Sequence, residues 1–250
     1  MQWLEQEKGL HFDNYHDLWE WSAREIGAFW ESQWEYFQVI SHTPYRQVLK
    51  GKEMPDYQWF VGATLNYAEH IFRQKNAAQP AILFQNERQS LTEISWAELE
   101  RQTAELARYL RQCGIQPGDR IAAYLPNSPH AIVAVLAAMS IGAVWSSCSP
   151  DFGAASVADR FVQIEPKILI AVDGYAYGGK SFDKRETVRE LCGLLPTVRQ
   201  VVFIPYLDES ATFETEGKEV VFWNELIENK EDAALAFLPV PFSHPLWVLY

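Results

Sequence analysis

Cysteine is scarce in this 250-residue chain: Cys113, Cys148 and Cys192 are three in number and far apart. Such spacing excludes a disulfide framework and a cysteine metal cluster, and it fits a reducing cytoplasm. Positive charge is also short. Lys and Arg total 21 against 33 Asp and Glu, a formal net charge of -12. That balance argues against a general nucleic-acid binder, although a local basic site for a phosphorylated ligand remains compatible with it. No apolar run is long and unbroken. The most apolar stretch, Ala131 to Cys148, is interrupted by Gly142 and reads as a buried helix plus strand, not a membrane span. The start, MQWLEQEKGLHFDNY, has no apolar signal core. The six histidines show no metal-like spacing, and Asp151 has no second carboxylate to form an acid–base pair with it, so no catalytic or metal residue is assigned.

What is present is apolar bulk. Residues of hydrophobic type make up 48% of the chain, enough for a full core and one or two domains. The organising stretch is Asp119 to Gly153, DRIAAYLPNSPHAIVAVLAAMSIGAVWSSCSPDFG. Ile121–Leu125 reads as a strand after the turn Pro117-Gly118. Ala131–Ile141 is apolar almost all round, as a helix covered on most faces would be, and Ala143–Cys148 is the next strand. Strand, buried helix, strand makes a βαβ unit. The expected fold is therefore α/β, a mostly parallel sheet with helices on both faces.

Residues 1–80 read as a helical, aromatic-rich extension packed on the main domain, and 81–250 as the sheet domain. Asp13 or Asn14 could cap a first short helix, and Ser22 with Glu25 suggests a capping box for the next. That second helix places Ile26, Phe29, Trp30, Gln33, Trp34 and Phe37 on one side. Residues 41–65 read as an irregular strap. Asn66 with Glu69 signals another helix. In the sheet domain, Ala81–Phe84 and Leu91–Ile94 suggest a hairpin, and Ser95 with Glu98 caps a helix whose stripe is Leu99, Thr103, Leu106 and Leu110. Ala154–Gln163 and Ser181–Leu195 read as helices, Ile168–Val172 and Val201–Ile204 as strands, Asp173–Lys180 as a loop, and 206–219 as an exposed acidic loop or hairpin.

Gly174 to Ser181, GYAYGGKS, satisfies G-x-x-x-x-G-K-S, the pattern in which backbone N–H groups and a lysine cradle phosphates. Two tyrosines in the loop and a weak magnesium partner (Asp208) count against a nucleotide-hydrolysing loop. Another phosphate-bearing ligand at Lys180 and a solvated loop stay open beside it. Ser146–Asp151 lies where open α/β sheets place ligands. Cys148 is either a nucleophile or a buried inert thiol. His130, at a helix start, could reach a ligand, and capping or simple exposure explains it as well.

Four segments together carry a resemblance: YHDLWEWSAREIGAFW, LNYAE at 65–69, the 119–153 stretch, and ADRFVQIEPKILIAVDGYAYGGK. They resemble the amino-terminal part of the acyl-adenylate-forming acyl-CoA synthetases. WSSCSPDFG at 145–153 points to the branch activating acetoacetate, because acetate- and propionate-activating members usually carry a histidine and FGGFS after IGAV. The resemblance implies a two-step ligase using ATP, Mg2+ and coenzyme A. It implies an incomplete amino-terminal domain, because the phosphate loop expected after WVLY and the carboxyl-terminal domain with its lysine do not occur within these residues. The chain alone is then expected to be inactive. Family members commonly read R-G-G-R beside the 3'-phosphate of coenzyme A. Carried over, Lys180 matches the second arginine and Tyr177 the first, with Gly178 and Gly179 between them. These four are the candidate cofactor-binding residues, and the partners implied are small molecules. The alternatives are a ligase for another short acid, a non-catalytic CoA-binding module, and a P-loop hydrolase.

Overall fold

A computed structural model of the chain describes residues 1–228 and 233–250. The chain forms two compact units, residues 1–66 with 239–244, and residues 67–238 with 245–250.

The first unit opens with helices α1 (Gln2–Lys8), α2 (Tyr15–Arg24) and α3 (Ile26–Tyr36). Asn14 caps α2, its side-chain oxygen accepting from the His16 and Asp17 N–H groups at 2.8 and 3.2 Å. The expected Ser22–Glu25 box does not form. Ser22 lies inside α2 and donates to the Trp19 carbonyl, and α3 begins after Glu25 without a side-chain cap. The strap is more regular than its composition suggests, because β1 (Gln47–Lys50) and β2 (Gln58–Val61) pair antiparallel, with Leu49 opposite Trp59. β3 (Thr64–Leu65) follows. The aromatic side of α3 is covered from within this unit. Trp34 stacks on buried Phe60 with centroids 4.3 Å apart, and Trp30 meets Trp59 edge-on at 6.0 Å.

The second unit begins with α4 (Tyr67–Phe72), so the helix signalled by Asn66 belongs with the sheet. β4 (Ile82–Phe84) and β5 (Thr92–Ile94) form the expected hairpin. α5 (Trp96–Gln112) starts on the Ser95 cap, whose hydroxyl accepts the Glu98 N–H at 3.1 Å, and its stripe Leu99, Thr103, Leu106 and Leu110 is buried. Next come β6 (Arg120–Tyr124), α6 (Pro129–Ser140), β7 (Val144–Cys148), α7 (Ala154–Ile164) and β8 (Ile168–Val172). The stretch read as a loop is instead a hairpin, β9 (Gly174–Tyr177) with β10 (Lys180–Asp183), and this delays α8 (Arg185–Leu194) beyond its expected start. β11 (Gln200–Ile204), β12 (Glu219–Phe222) and α9 (Trp223–Ile227) follow; β13 (Val240–Pro241) returns to pair with β3 in the first unit.

The main sheet has five strands in the order β12-β11-β8-β6-β7, every pair parallel. Alternation along each strand divides the core in two. Ile121, Ala123, Ile168, Ile170, Val202 and Ile204 face the layer holding α5 and α6. Ala122, Tyr124, Leu169, Ala171, Val201 and Phe203 face α7 and α8. Helices thus cover both faces, as the near-continuous apolar strands require. Leu246–Val248 runs beside β7, where the Trp145 N–H donates to the Leu246 carbonyl at 3.1 Å and the Val248 N–H to the Trp145 carbonyl at 2.8 Å.

Candidate functional site

Right-handed crossovers leave the carboxyl ends of parallel strands lined by loops, and open sheets bind ligands there. A cleft of about 1210 Å3 lies at that end of this sheet. Its walls come from the residues following β6 (Pro126, Asn127), β7 (Ser149 to Asp151) and β11 (Pro205 to Leu207), and from β9. The β4–β5 hairpin supplies Phe84, Asn86 and Arg88.

Asp173, directly after β8, organises this rim. Its buried carboxylate accepts the N–H groups of Tyr206, Leu207 and Asp208 at 2.7, 2.7 and 2.8 Å, which fixes the loop after β11. Three donors on one buried carboxylate offset its desolvation. Sequence reading passed over Asp173, because its partners lie more than thirty residues away. Gly174 then opens the β9–β10 hairpin. A Cβ there would lie on the Phe182 carbonyl and 2.7 Å from Leu207 Cδ2, so only glycine fits.

The candidate residues Tyr177, Gly178, Gly179 and Lys180 form the tip of that hairpin, and all four are exposed. Gly178 and Gly179 have φ of +59° and +72°, the two positive values that a two-residue turn matching strand twist requires. This geometry overturns the P-loop reading. The glycines turn one antiparallel strand into another, whereas a P-loop leads from a strand into a helix N-terminus. The tip nevertheless presents two adjacent N–H donors, and Glu87 takes both, its carboxylate oxygens lying 2.9 Å from each nitrogen. Those bonds, Gly179 first, hold the Glu87 carboxyl below its ordinary range. Lys180 makes no ion pair among the described residues.

Glu87 belongs to the β4–β5 turn, and its neighbours also reach across. Asn86 Nδ2 donates to the Tyr206 hydroxyl at 3.1 Å, and Arg88 Nη1 to the Leu207 carbonyl at 3.1 Å. The hairpin is thus tied to the loop that Asp173 fixes.

His130 sits in the cleft wall between Trp223 and Tyr206, with ring centroids 5.1 and 6.0 Å away. Burial lowers its imidazole to about 4, so it is neutral at pH 7, and its Nδ1 has no partner. Cys148 is buried, and burial pushes its thiol up, which makes it a poor nucleophile. Asp151 lines the cleft but does not cap α7, whose N-cap is Gly153. Asp208 is engaged by the Ser210 N–H and hydroxyl, at 2.9 and 2.7 Å. Among the described residues no group of three His, Cys, Asp or Glu could hold a metal ion. No described helix is long and apolar enough to cross a membrane.

A parallel sheet covered by helices, with a cleft at the carboxyl ends of its strands, defines the open α/β class of proteins, and comparison makes the class specific. The AMP-binding enzyme family model matches residues 70–239, and the model for the acetyl-coenzyme A synthetase N-terminus matches 15–71. The chain belongs to the AMP-binding enzyme family. Within it, the chain is 37% identical to an acetoacetyl-CoA synthetase of Danio rerio, covering 99% of this chain and 38% of the relative. It is 38% identical to that of Rhizobium meliloti (strain 1021), covering 100% and 38%. A solved structure, acetoacetyl-CoA synthetase from Streptomyces lividans, matches with TM-score 0.90 and 48% identity over 99% of this chain and 38% of that one. The chain therefore spans 38% of the length of these relatives.

Proposed function

We propose that this chain serves the ATP-dependent ligation of acetoacetate to coenzyme A. The observation carrying the proposal is similarity to acetoacetyl-CoA synthetases along essentially the whole chain, at 48% identity and TM-score 0.90 for the solved relative. In such a reaction the acid's carboxylate attacks the α-phosphorus of ATP and expels pyrophosphate. The CoA thiol then attacks the carbonyl of the resulting acyl-adenylate and expels AMP. Magnesium would accompany ATP by neutralising phosphate charge.

The proposed contribution of these residues is to receive coenzyme A. The Gly178 and Gly179 N–H groups and the next residue, Lys180, share an exposed turn, and two N–H donors with an ammonium make a donor set suited to a phosphate monoester. Tyr177, 72% exposed, flanks them as an uncharged surface. Lysine acts there as a point charge where an arginine would fork. The three cysteines, all unpaired, support a cytoplasmic setting for this small-molecule chemistry.

The test replaces the matching 38% of the Streptomyces lividans relative by this chain and measures pyrophosphate release. Release that needs acetoacetate and CoA-dependent turnover is expected. In that chimera Lys180→Ala should raise KM for CoA about fivefold and leave KM for acetoacetate unchanged. A folded chimera without pyrophosphate release would contradict the proposal.

A further inference from the structure

The Gly178 and Gly179 N–H groups each have one hydrogen, and both are already committed to the Glu87 carboxylate at 2.9 Å. They cannot serve that carboxylate and a phosphate at once. We propose that Glu87 is an internal anion that occupies the β9–β10 turn and must be displaced before a phosphate monoester binds there. The inference rests on the reading of this turn as the site for the 3'-phosphate of coenzyme A.

Three features support competition over simple bracing. Glu87 is exposed, so its side chain can leave without opening the core. The turn that carries it is held independently, by Asn86 on the Tyr206 hydroxyl and by Arg88 on the Leu207 carbonyl. Glu87 can therefore swing away as a side chain while the backbone stays in place. Finally, the charge at the tip changes with its departure. With Glu87 seated, its negative charge repels an incoming phosphate and its two oxygens hold both donors. With Glu87 gone, two donors and an uncommitted ammonium face the ligand. A tethered carboxylate competes at an effective concentration in the millimolar range. A phosphate carrying about two negative charges outbids a carboxylate carrying one, and a neutral ligand does not. The device would thus set a threshold against weak anions and favour ligands with a terminal phosphate.

The test titrates the 250-residue chain with coenzyme A and with 3'-dephospho-CoA by calorimetry, for the wild type, Glu87→Ala, Glu87→Gln and Lys180→Ala. Circular dichroism confirms that each variant is folded. Glu87→Ala should bind coenzyme A about fivefold more tightly, since it removes both the occupant and the like-charge repulsion. Glu87→Gln should tighten it less, because the amide oxygen still accepts one N–H. Binding of 3'-dephospho-CoA should not change. Weaker or unchanged coenzyme A binding by Glu87→Ala would overturn the inference and make Glu87 a brace. Equal tightening of both ligands would also overturn it. In either case a loss of coenzyme A affinity in Lys180→Ala, with none for 3'-dephospho-CoA, would leave the underlying site reading standing. Absence of coenzyme A binding by the wild type and Glu87→Ala alike would overturn both.

Discussion

His130 shows how one side chain can connect the cleft to the stability of the whole unit. Its folded value of about 4 lies below the ordinary 6.5 because burial disfavours the imidazolium. The sign follows from linkage. Above pH 6.5 the ring is neutral folded and unfolded, and nothing is lost. As pH falls from 6.5 toward 4 the unfolded chain takes up a proton that the folded chain refuses, so stability declines. The full loss is of the order of 3 kcal/mol. His130→Phe should flatten this limb, read as the difference in urea midpoint between pH 7 and pH 4.5; an unchanged difference would contradict the assignment. Asp173 makes a second residue-scale prediction. Asp173→Asn leaves an NH2 group among three N–H donors, and should cost about 2 kcal/mol in urea unfolding at pH 7. His130 was visible in the sequence only as a histidine at a helix start. Its neutrality comes from burial, and the rings packed on it, Tyr206 and Trp223, are more than seventy positions away.

At the scale of elements, what could be read was what is written locally. The Ser95 cap, the α5 stripe and the all-round apolar α6 are patterns within a few turns of chain, and each forms where expected. The Ser22–Glu25 box failed because Ser22 lies inside α2, which runs on to Arg24, so its hydroxyl donates to the Trp19 carbonyl and caps no helix start. The β9–β10 hairpin was hidden by its resemblance to a phosphate loop, although a Gly-Gly pair between alternating residues is itself a hairpin signal. β12 was missed for a different reason. A four-residue strand is identified by its parallel neighbour β11, with Val220 beside Val201, and that partner is not local. The hairpin also yields a test. Gly178→Val and Gly179→Val place a β-branched residue at φ of +59° and +72°, each costing roughly 1–2 kcal/mol of the turn. Amide exchange at Lys180 and Phe182, whose N–H groups point across the hairpin, should accelerate, while exchange in β8 should not. Slow exchange in the tip of either variant would contradict the turn geometry.

For the whole molecule, the parallel sheet and its helical cover follow from apolar strands alternating with helical stretches, and this level of organisation was legible from the βαβ unit alone. The location of the cleft was legible in part. Strand carboxyl ends were expected to line it, and they do. Tyr177 through Lys180 were singled out, but Glu87, on a hairpin ninety residues earlier, could be placed against them only by the fold. The division into units likewise depends on where the chain returns, since residues 239–244 rejoin the first unit through β13.

The central claim is that the β9–β10 tip receives the phosphate end of coenzyme A. Its most direct test is a 15N-resolved titration of the 250-residue chain with coenzyme A, following each backbone amide. The account predicts that the Gly178, Gly179 and Lys180 amides shift first and most, and that 3'-dephospho-CoA leaves them in place. Saturable shifts confined to other parts of the chain, with these three amides unmoved, would contradict it.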